Sequence, residues 1–129
     1  AWTAALKPLL VEAPGAILIG HSLGGSHILK TLAELGPMVR PRAFVGLAVP
    51  FWGMPGWDDP DFALPPYASE ALSALPLRLF HARDDEVVPF DHLAAWKTHL
   101  PKARIAPLET GGHQFTGDLA PLIIAISEL

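Results

Sequence analysis

The feature that most limits the fold of this chain is a glycine-flanked serine, Ser22, in the pentapeptide GHSLG at residues 20–24. An apolar run before it, Ala16–Ile19, is typical of a buried strand, and the leucines after it recur at helical spacing until Gly36. The serine therefore falls on a turn from a strand into a helix. Small residues let such a turn bend sharply, and we expect Gly20 and Gly24 to serve this purpose.

Three more apolar segments predict strands, and helical patterns separate them. The predicted strands are Ala43–Val49, Leu77–Ala82 and Ala103–Leu108, and the predicted helices span residues 2–11, 23–35, 89–100 and 118–129. Pro107 favours an edge position for the last strand, because proline cannot donate to a ladder. The alternation predicts one α/β domain over residues 1–129, with a parallel sheet and helices on both of its faces.

The composition excludes several classes of partner and of chemical site. The net charge is −4 with nine unclustered Lys and Arg residues, so we expect neither a nucleic-acid nor a membrane partner. The absence of cysteine excludes disulfides, a thiol nucleophile and a thiolate metal site. We expect no cofactor, no metal, a small-molecule substrate and a cytoplasmic location, and the composition leaves the oligomeric state open.

Ser22 needs a base and an acid before it can act as a nucleophile. Asp85 and His113 lie in loops after the third and fourth predicted strands. In a parallel sheet these loops open onto the same edge as the turn at Ser22. The order serine, acid, histidine is the one associated with α/β-hydrolases.

Other histidines compete with His113 for the role of base. His21 is expected to point away from the serine across the strand, and His27 lies on the helix after it. His81 falls within a predicted strand, where a packed and hydrogen-bonded side chain is expected. His113 instead lies in a glycine-flanked loop.

Two further histidines, His92 and His99, lie seven residues apart in one predicted helix. They share a face of that helix, and we expect them near solvent.

The acid is chosen between two adjacent carboxylates. Asp85 stands four residues before Pro89, as in a common hydrolase pattern that this segment resembles. Asp84 is interpreted as a turn or capping residue, and a solvated charge is the alternative for Asp84 and Glu86.

Together the motifs GHSLGG, PFWG, DDEVVPF and ETGGHQF resemble the small, lid-less serine hydrolases of the retinoblastoma-binding-protein-nine type in the α/β-hydrolase superfamily. The resemblance implies that Ser22 is the nucleophile, Asp85 the acid and His113 the base. It also implies that the backbone amide of Leu23 is one donor of the oxyanion hole.

The sequence departs from that family at its beginning. The serine turn of the family follows the fifth of eight strands, whereas here it starts at residue 20. The loop that supplies the second oxyanion-hole amide has no counterpart. We therefore expect the C-terminal part of an α/β-hydrolase fold, with Ala16–Ile19 as a central strand beside a strand from upstream residues. Expressed alone, the segment is expected to be poorly soluble or to form strand-paired oligomers.

A proline-rich aromatic segment, Phe51–Tyr67, follows the second predicted strand. It is interpreted as a wall of the substrate pocket, and an apolar plug under a long loop is the alternative. About 27 residues separate the second and third strands, too few for a large lid. The predicted substrate-binding residues are His21, Phe51, Trp52, Met54 and Trp57.

The sequence therefore predicts a serine hydrolase that cleaves a small ester, thioester or activated amide through an acyl-serine intermediate. The alternative is a catalytically idle binding protein with the same fold.

Overall fold

In the computed structural model, which describes residues 2–129, helices alternate with short strands along the chain. The bounds are α1 Trp2–Val11, β1 Ile17–His21, α2 Leu23–Leu35, a 3₁₀ helix Gly36–Met38, β2 Ala43–Leu47, α3 Ala68–Ala71, β3 Leu77–Ala82, α4 His92–His99, β4 Arg104–Leu108 and α5 Ala120–Ser127. Helix α1 and strand β3 have the predicted bounds, and α1 continues through Pro8.

The strands form one parallel sheet in the order β1-β2-β3-β4. The β1 and β2 strands pair from Ile17 with Ala43 to His21 with Leu47. Strand β4 lies at an edge and contains Pro107, as predicted. Within residues 2–129, β1 has β2 as its neighbour, and the strand expected on its other side stays a prediction. All four parallel strands end at the same side of the sheet, which brings the predicted site segments together.

Apolar side chains cover both faces of the sheet, which confirms the predicted layering. On one face, Leu29 and Leu32 of α2 and Trp96 of α4 pack with Phe44 and Leu79 of the sheet. On the other face, the side chains of α5 and the loop before it pack against the central strands; they include Leu122 and Phe115, which meet Val45 and Phe80. No helix within residues 2–129 has both the length and the apolar character needed to cross a membrane.

Strand β2 is shorter than predicted because the backbone turns at Ala48, which has a φ of 50°. The turn directs the Val49 side chain into a space beside Gly25 and Gly46. A Cβ atom on Gly46 would lie 2.9 Å from the Val49 side chain, and one on Gly25 would overlap that side chain. Strand β2 and helix α2 can therefore approach each other closely at the end of β2.

Two helices begin later than predicted because turns precede them. The His92 amide donates to the Pro89 carbonyl at 3.1 Å, so a four-residue turn, residues 89–92, leads into α4. The Asp118 side chain accepts the Ala120 amide at 2.9 Å, which places Asp118 in a turn before α5.

Candidate active site

Ser22 joins β1 to α2 in a strained backbone conformation, with a φ of 51° and a ψ of −128°. Such a conformation costs about 1–3 kcal/mol in a residue with a side chain and persists only where the surroundings impose it. Here the Ser22 amide donates to the Leu47 carbonyl at 2.8 Å, and the Ser22 carbonyl accepts the Gly25 amide at 3.0 Å. The turn presents the serine hydroxyl beyond the carboxyl end of the sheet, at the N-terminus of α2.

The glycines that permit this turn are partly different from those expected. A Cβ atom on Gly20 would lie 2.6 Å from the Gly25 Cα atom, so these two residues touch through their backbones. A Cβ atom on Gly24 would meet nothing within 4 Å. The expectation that Gly24 lets the chain bend sharply is therefore wrong, because a side chain would fit there, and Gly25 is the residue that allows the close contact with Gly20.

The three side chains predicted as nucleophile, base and acid lie in one hydrogen-bonded row. His113 Nε2 is 3.0 Å from the Ser22 hydroxyl oxygen, and His113 Nδ1 is 3.0 Å from Asp85 Oδ2. Because an ionised carboxylate can only accept, Nδ1 carries the proton and Nε2 is left to accept the hydroxyl proton. This is the tautomer that a histidine base needs in order to activate a serine.

The Asp85 side chain is completely buried and held by the backbone of its own loop. Its Oδ1 atom accepts the amides of Val87 and Val88, each at 2.8 Å. Burial raises the pKa of the Asp85 carboxyl, but the hydrogen bonds from His113 and from these two amides together lower the pKa by a larger amount. The pKa therefore lies below its ordinary value. The carboxylate is thus kept ionised beside the imidazole.

The neighbouring carboxylates bind the backbone of the His113 loop and not its ring. Asp84 Oδ1 accepts the Gly112 amide at 2.9 Å, and Glu86 Oε2 accepts the His113 amide at 3.4 Å. Both side chains are exposed. A cavity of about 430 Å³ opens next to the base and is lined by these carboxylates and by the loop of residues 110–117.

His81 is buried in β3, as expected for a packed histidine. Its Nε2 atom lies 2.9 Å from the Val88 carbonyl and 3.2 Å from Asp85 Oδ2. Since a carbonyl oxygen only accepts, His81 Nε2 carries a proton. This N–H group also lies close to the Asp85 carboxylate.

The expectation that His92 lies near solvent is wrong, because this residue is only 1% exposed. The Phe51 amide donates to His92 Nδ1 at 2.8 Å, and the Phe51 ring covers the same face of α4 as far as the exposed His99. Burial lowers the pKa of His92, and the charge of Asp91 only partly offsets this effect. The sequence pattern of α4 did not show this, because the covering residue comes from a loop 41 positions away.

His27 lies within α2 and packs against α1. It stacks on Trp2 with ring centroids 5.2 Å apart, and neither ring nitrogen has a hydrogen-bond partner within residues 2–129. Burial, followed by the charge of Lys30, lowers the pKa of His27.

His21 was predicted to bind substrate. Its Nε2 atom lies 2.7 Å from the His113 carbonyl oxygen, and the two imidazole rings are tilted at a centroid distance of 4.9 Å. No sequence pattern indicates this contact, because its acceptor is a backbone carbonyl, a group that every residue carries.

The aromatic segment after β2 is packed against two helices. The Phe51 ring lies 4.9 Å from that of Trp96 in α4, whereas Trp52 Nε1 donates to the Ser26 hydroxyl of α2 at 3.1 Å. Ser26 is one helical turn beyond Ser22, so Trp52 lies on the helix that begins at the nucleophile.

Two further predicted pocket residues belong to the same segment. The Trp57 ring is 5.3 Å from that of Trp52, and Met54 forms a β-bridge with Trp57. The segment therefore folds back on itself within a few residues. Their predicted contact with substrate stays a prediction.

Leu23 is the first residue of α2. The amides in the first turn of a helix lack a carbonyl partner within that helix, so the Leu23 amide can donate to an oxygen that becomes negative beside Ser22. Within residues 2–129, His, Cys, Asp and Glu side chains form no cluster of three or more suited to a metal ion.

Solved structures of other proteins resemble this one over nearly its whole length. The B. subtilis ydeN gene product is 18% identical, with a TM-score of 0.75, and the match covers 98% of this chain and 72% of that protein. Mouse alpha/beta hydrolase domain-containing protein 10 is 21% identical, with a TM-score of 0.67 over 98% of this chain and 67% of that protein. MGS-M1, an alpha/beta hydrolase enzyme from a Medee basin deep-sea metagenome, is 20% identical. Its TM-score is 0.66, and the match covers 97% of this chain and 58% of that protein.

No protein-family model matches the sequence, and no curated protein is significantly similar to it. The chain spans between about three-fifths and three-quarters of the length of these three structures. The resemblance in structure is nevertheless consistent across them, and the chain has the α/β-hydrolase fold.

Proposed function

We propose that this protein is a serine hydrolase that cleaves a small ester, thioester or activated amide. The observation that carries the proposal is the row formed by Ser22, His113 and Asp85, with two contacts of 3.0 Å at the carboxyl end of a parallel sheet. A buried, ionised carboxylate that fixes the tautomer of a histidine beside a strained serine has a direct use in nucleophilic catalysis.

In the proposed reaction, the Ser22 hydroxyl oxygen attacks the substrate carbonyl carbon while His113 Nε2 takes the hydroxyl proton. The carbonyl oxygen becomes negative and is stabilised by the Leu23 amide. As the bond to the leaving group breaks, His113 returns the proton to that group and an acyl-serine remains. A water molecule, deprotonated by His113, then attacks the acyl carbon, and Ser22 recovers its proton as the acid is released.

The charge of Asp85 is required throughout this sequence. It favours the imidazolium that forms in each half of the reaction, and its hydrogen bond keeps Nε2 directed at Ser22. The two backbone amides on the other carboxylate oxygen prevent the carboxylate from rotating away.

For the substrate pocket, Trp52 is the aromatic residue with the strongest structural support. Its indole nitrogen is anchored to Ser26, one turn along the helix from the nucleophile, and its ring is only partly buried. We infer that the acyl group or the leaving group lies against this indole. Phe51 contacts α4, so we assign it to packing.

A fluorophosphonate probe tests the proposal, because it reacts with an activated serine and stays attached. We expect labelling of Ser22, identified by mass spectrometry of the labelled peptide. Ser22→Ala is expected to remove the label, and His113→Ala to slow labelling by several orders of magnitude. Ser69→Ala, at an exposed serine on α3, is the matched control and should label normally.

Two outcomes would contradict the proposal. Labelling of another serine would remove Ser22 from the role of nucleophile. A folded protein that neither labels at Ser22 nor hydrolyses p-nitrophenyl acetate would instead support the alternative of a catalytically idle binding protein.

A further inference from the structure

The backbone carbonyl of the proposed base accepts a hydrogen bond from the residue that precedes the proposed nucleophile. His21 Nε2 lies 2.7 Å from the His113 carbonyl oxygen. A carbonyl oxygen can only accept, so the proton of the neutral His21 ring must be on Nε2.

Apart from the Ser22 hydroxyl, which contacts the His113 ring, the remaining side chains of other segments that bind the His113 loop follow β3. Asp84 binds the Gly112 amide, Asp85 binds the His113 ring, and Glu86 approaches the His113 amide at 3.4 Å. These three acidic residues are consecutive and follow β3. They determine where the loop lies relative to β3, two strands away from β1.

The bond from His21 instead ties the loop to the strand that carries the nucleophile. His21 is the last residue of β1 and is paired with Leu47, so its backbone is fixed by the sheet. Ser22 follows directly and donates its amide to the same Leu47 residue. A base bound to His21 is therefore held at a defined distance from the Ser22 hydroxyl.

Aromatic contacts limit the orientation of the His21 ring. The His21 ring lies 4.9 Å from the His113 ring, and its edge-to-face partner Phe115 lies at 6.3 Å. Phe115 is buried and has a φ of 54°, which marks the turn where the loop leaves the site. The imidazole of His21 is thus placed between the base and the turn that follows it.

We propose that His21 is a positioning residue that sets the distance between the base and the nucleophile. The proposal rests on the proposed hydrolase function. It predicts that loss of the His21 donor lowers the rate of the chemical step and leaves substrate binding unchanged, because the bond is made to the base and not to the substrate.

The test compares His21→Ala, which removes the donor, with His21→Gln, whose side-chain amide can donate to the same carbonyl. We expect His21→Ala to reduce kcat for p-nitrophenyl acetate and the rate of fluorophosphonate labelling about tenfold. This equals the loss of a bond worth about 1.4 kcal/mol. KM should change by less than about twofold. His21→Gln should retain at least a third of the wild-type rate.

His99→Ala is the matched control, because His99 is exposed and its Nδ1 contacts the Ala95 carbonyl of its own helix. It should not alter either rate. A rise in KM at constant kcat in His21→Ala would place His21 in contact with substrate and overturn the proposal. Equal losses in His21→Ala and His21→Gln would also overturn it.

A readout that does not depend on turnover separates this proposal from the proposed function. In NMR spectra of protein with labelled histidines, His21→Ala should shift the His113 ring signals and speed hydrogen exchange of the loop amides. If the wild-type protein lacks hydrolase activity but these changes occur, the positioning role holds and the hydrolase proposal fails. If neither the spectra nor the rates change, His21 does not position the base.

Discussion

The turn at Ser22 and the loop of His113 are held in place by different kinds of interaction. The turn is fixed by backbone contact: Gly20 touches Gly25, and the Val49 side chain fills the remaining space. The loop is fixed by side chains that bind its backbone, among them those of the exposed residues Asp84 and His21.

The difference indicates which property each region controls. Packing at a backbone contact has little tolerance for an added methyl group, so changes near Ser22 should affect stability strongly. Polar contacts at an exposed loop contribute little to stability, so changes around His113 should affect the reaction rate more than the fold. The following predictions test this division, from the largest effect to the smallest.

The first prediction compares two adjacent carboxylates at the His113 loop. Asp85→Asn should lower kcat by about 10⁴-fold, because an amide in this place favours the wrong imidazole tautomer. Asp84→Asn should cost less than about tenfold, because its remaining carbonyl oxygen can still accept the Gly112 amide. Steady-state hydrolysis of p-nitrophenyl acetate measures both. A larger effect for Asp84→Asn would reverse the assignment of the acid.

The second prediction concerns packing next to the serine turn. Gly25→Ala should lower the free energy of unfolding by about 2–3 kcal/mol, because the new methyl group overlaps the Val49 side chain. Gly24→Ala, one residue earlier, should leave stability unchanged or raise it by up to about 1 kcal/mol, since space is open there. Urea unfolding followed by circular dichroism gives both values. Equal effects would show that the turn is not limited by packing.

The third prediction measures the strain stored at Ser22 itself. Both Ser22→Gly and Ser22→Ala remove the hydroxyl, but only glycine accepts a φ of 51° without a steric cost. Relief of strain should exceed the entropy that glycine adds to the unfolded chain. We expect Ser22→Gly to be more stable than Ser22→Ala by about 1 kcal/mol in urea unfolding. If Ser22→Ala is the more stable variant, the strain at this turn is small.

The fourth prediction concerns how the free energy of unfolding depends on pH through two buried histidines, in α2 and α4. The pKa values of His27 and His92 lie below the ordinary value of 6.5, so the unfolded chain binds protons that the folded protein does not. The free energy of unfolding should therefore fall as pH drops below about 6.5, by at most about 1.4 kcal/mol per pH unit for each histidine. Asp85 has a lowered pKa, so its contribution is lost only at more acidic pH.

Urea unfolding between pH 8 and pH 5.5 measures this slope. His92→Gln should reduce it, because glutamine does not titrate and its oxygen can accept the Phe51 amide. Thr98→Ala, at an exposed residue of the same helix that carries no titratable group, is the control and should keep the wild-type slope. An unchanged slope in His92→Gln would contradict the assignment of this buried histidine.

The sequence predicted the layered α/β fold because each element carries its own local signal. The apolar run Leu77–Ala82 and the helical spacing after Ser22 needed no information from distant residues. The order of the chain then brought the site segments to one edge of a parallel sheet. The end of β2 was less predictable, because the turn at Ala48 accompanies the packing of Val49 against Gly25 of α2 and Gly46 of β2 itself.

Contacts that distant segments make through their backbone atoms could not be predicted from the sequence. The burial of His92 depends on Phe51, and the hydrogen bond from His21 depends on the His113 carbonyl, 92 positions away. Backbone carbonyls carry no residue-specific signal, so no pattern of residue types identifies such a partner. The same limit explains why Gly24 and not Gly25 was expected to permit the turn.

The separation of 91 positions between Ser22 and His113 has a consequence for folding. Contacts of such long range form slowly, because the intervening chain must first lose much of its freedom. Under the proposed function, Ser22 would become reactive only after the His113 loop has packed beside β1. Transient opening of residues near the C-terminus would therefore silence Ser22 while most of the sheet remains intact. The rate at which a refolding sample regains reactivity at Ser22 would report the final step of assembly.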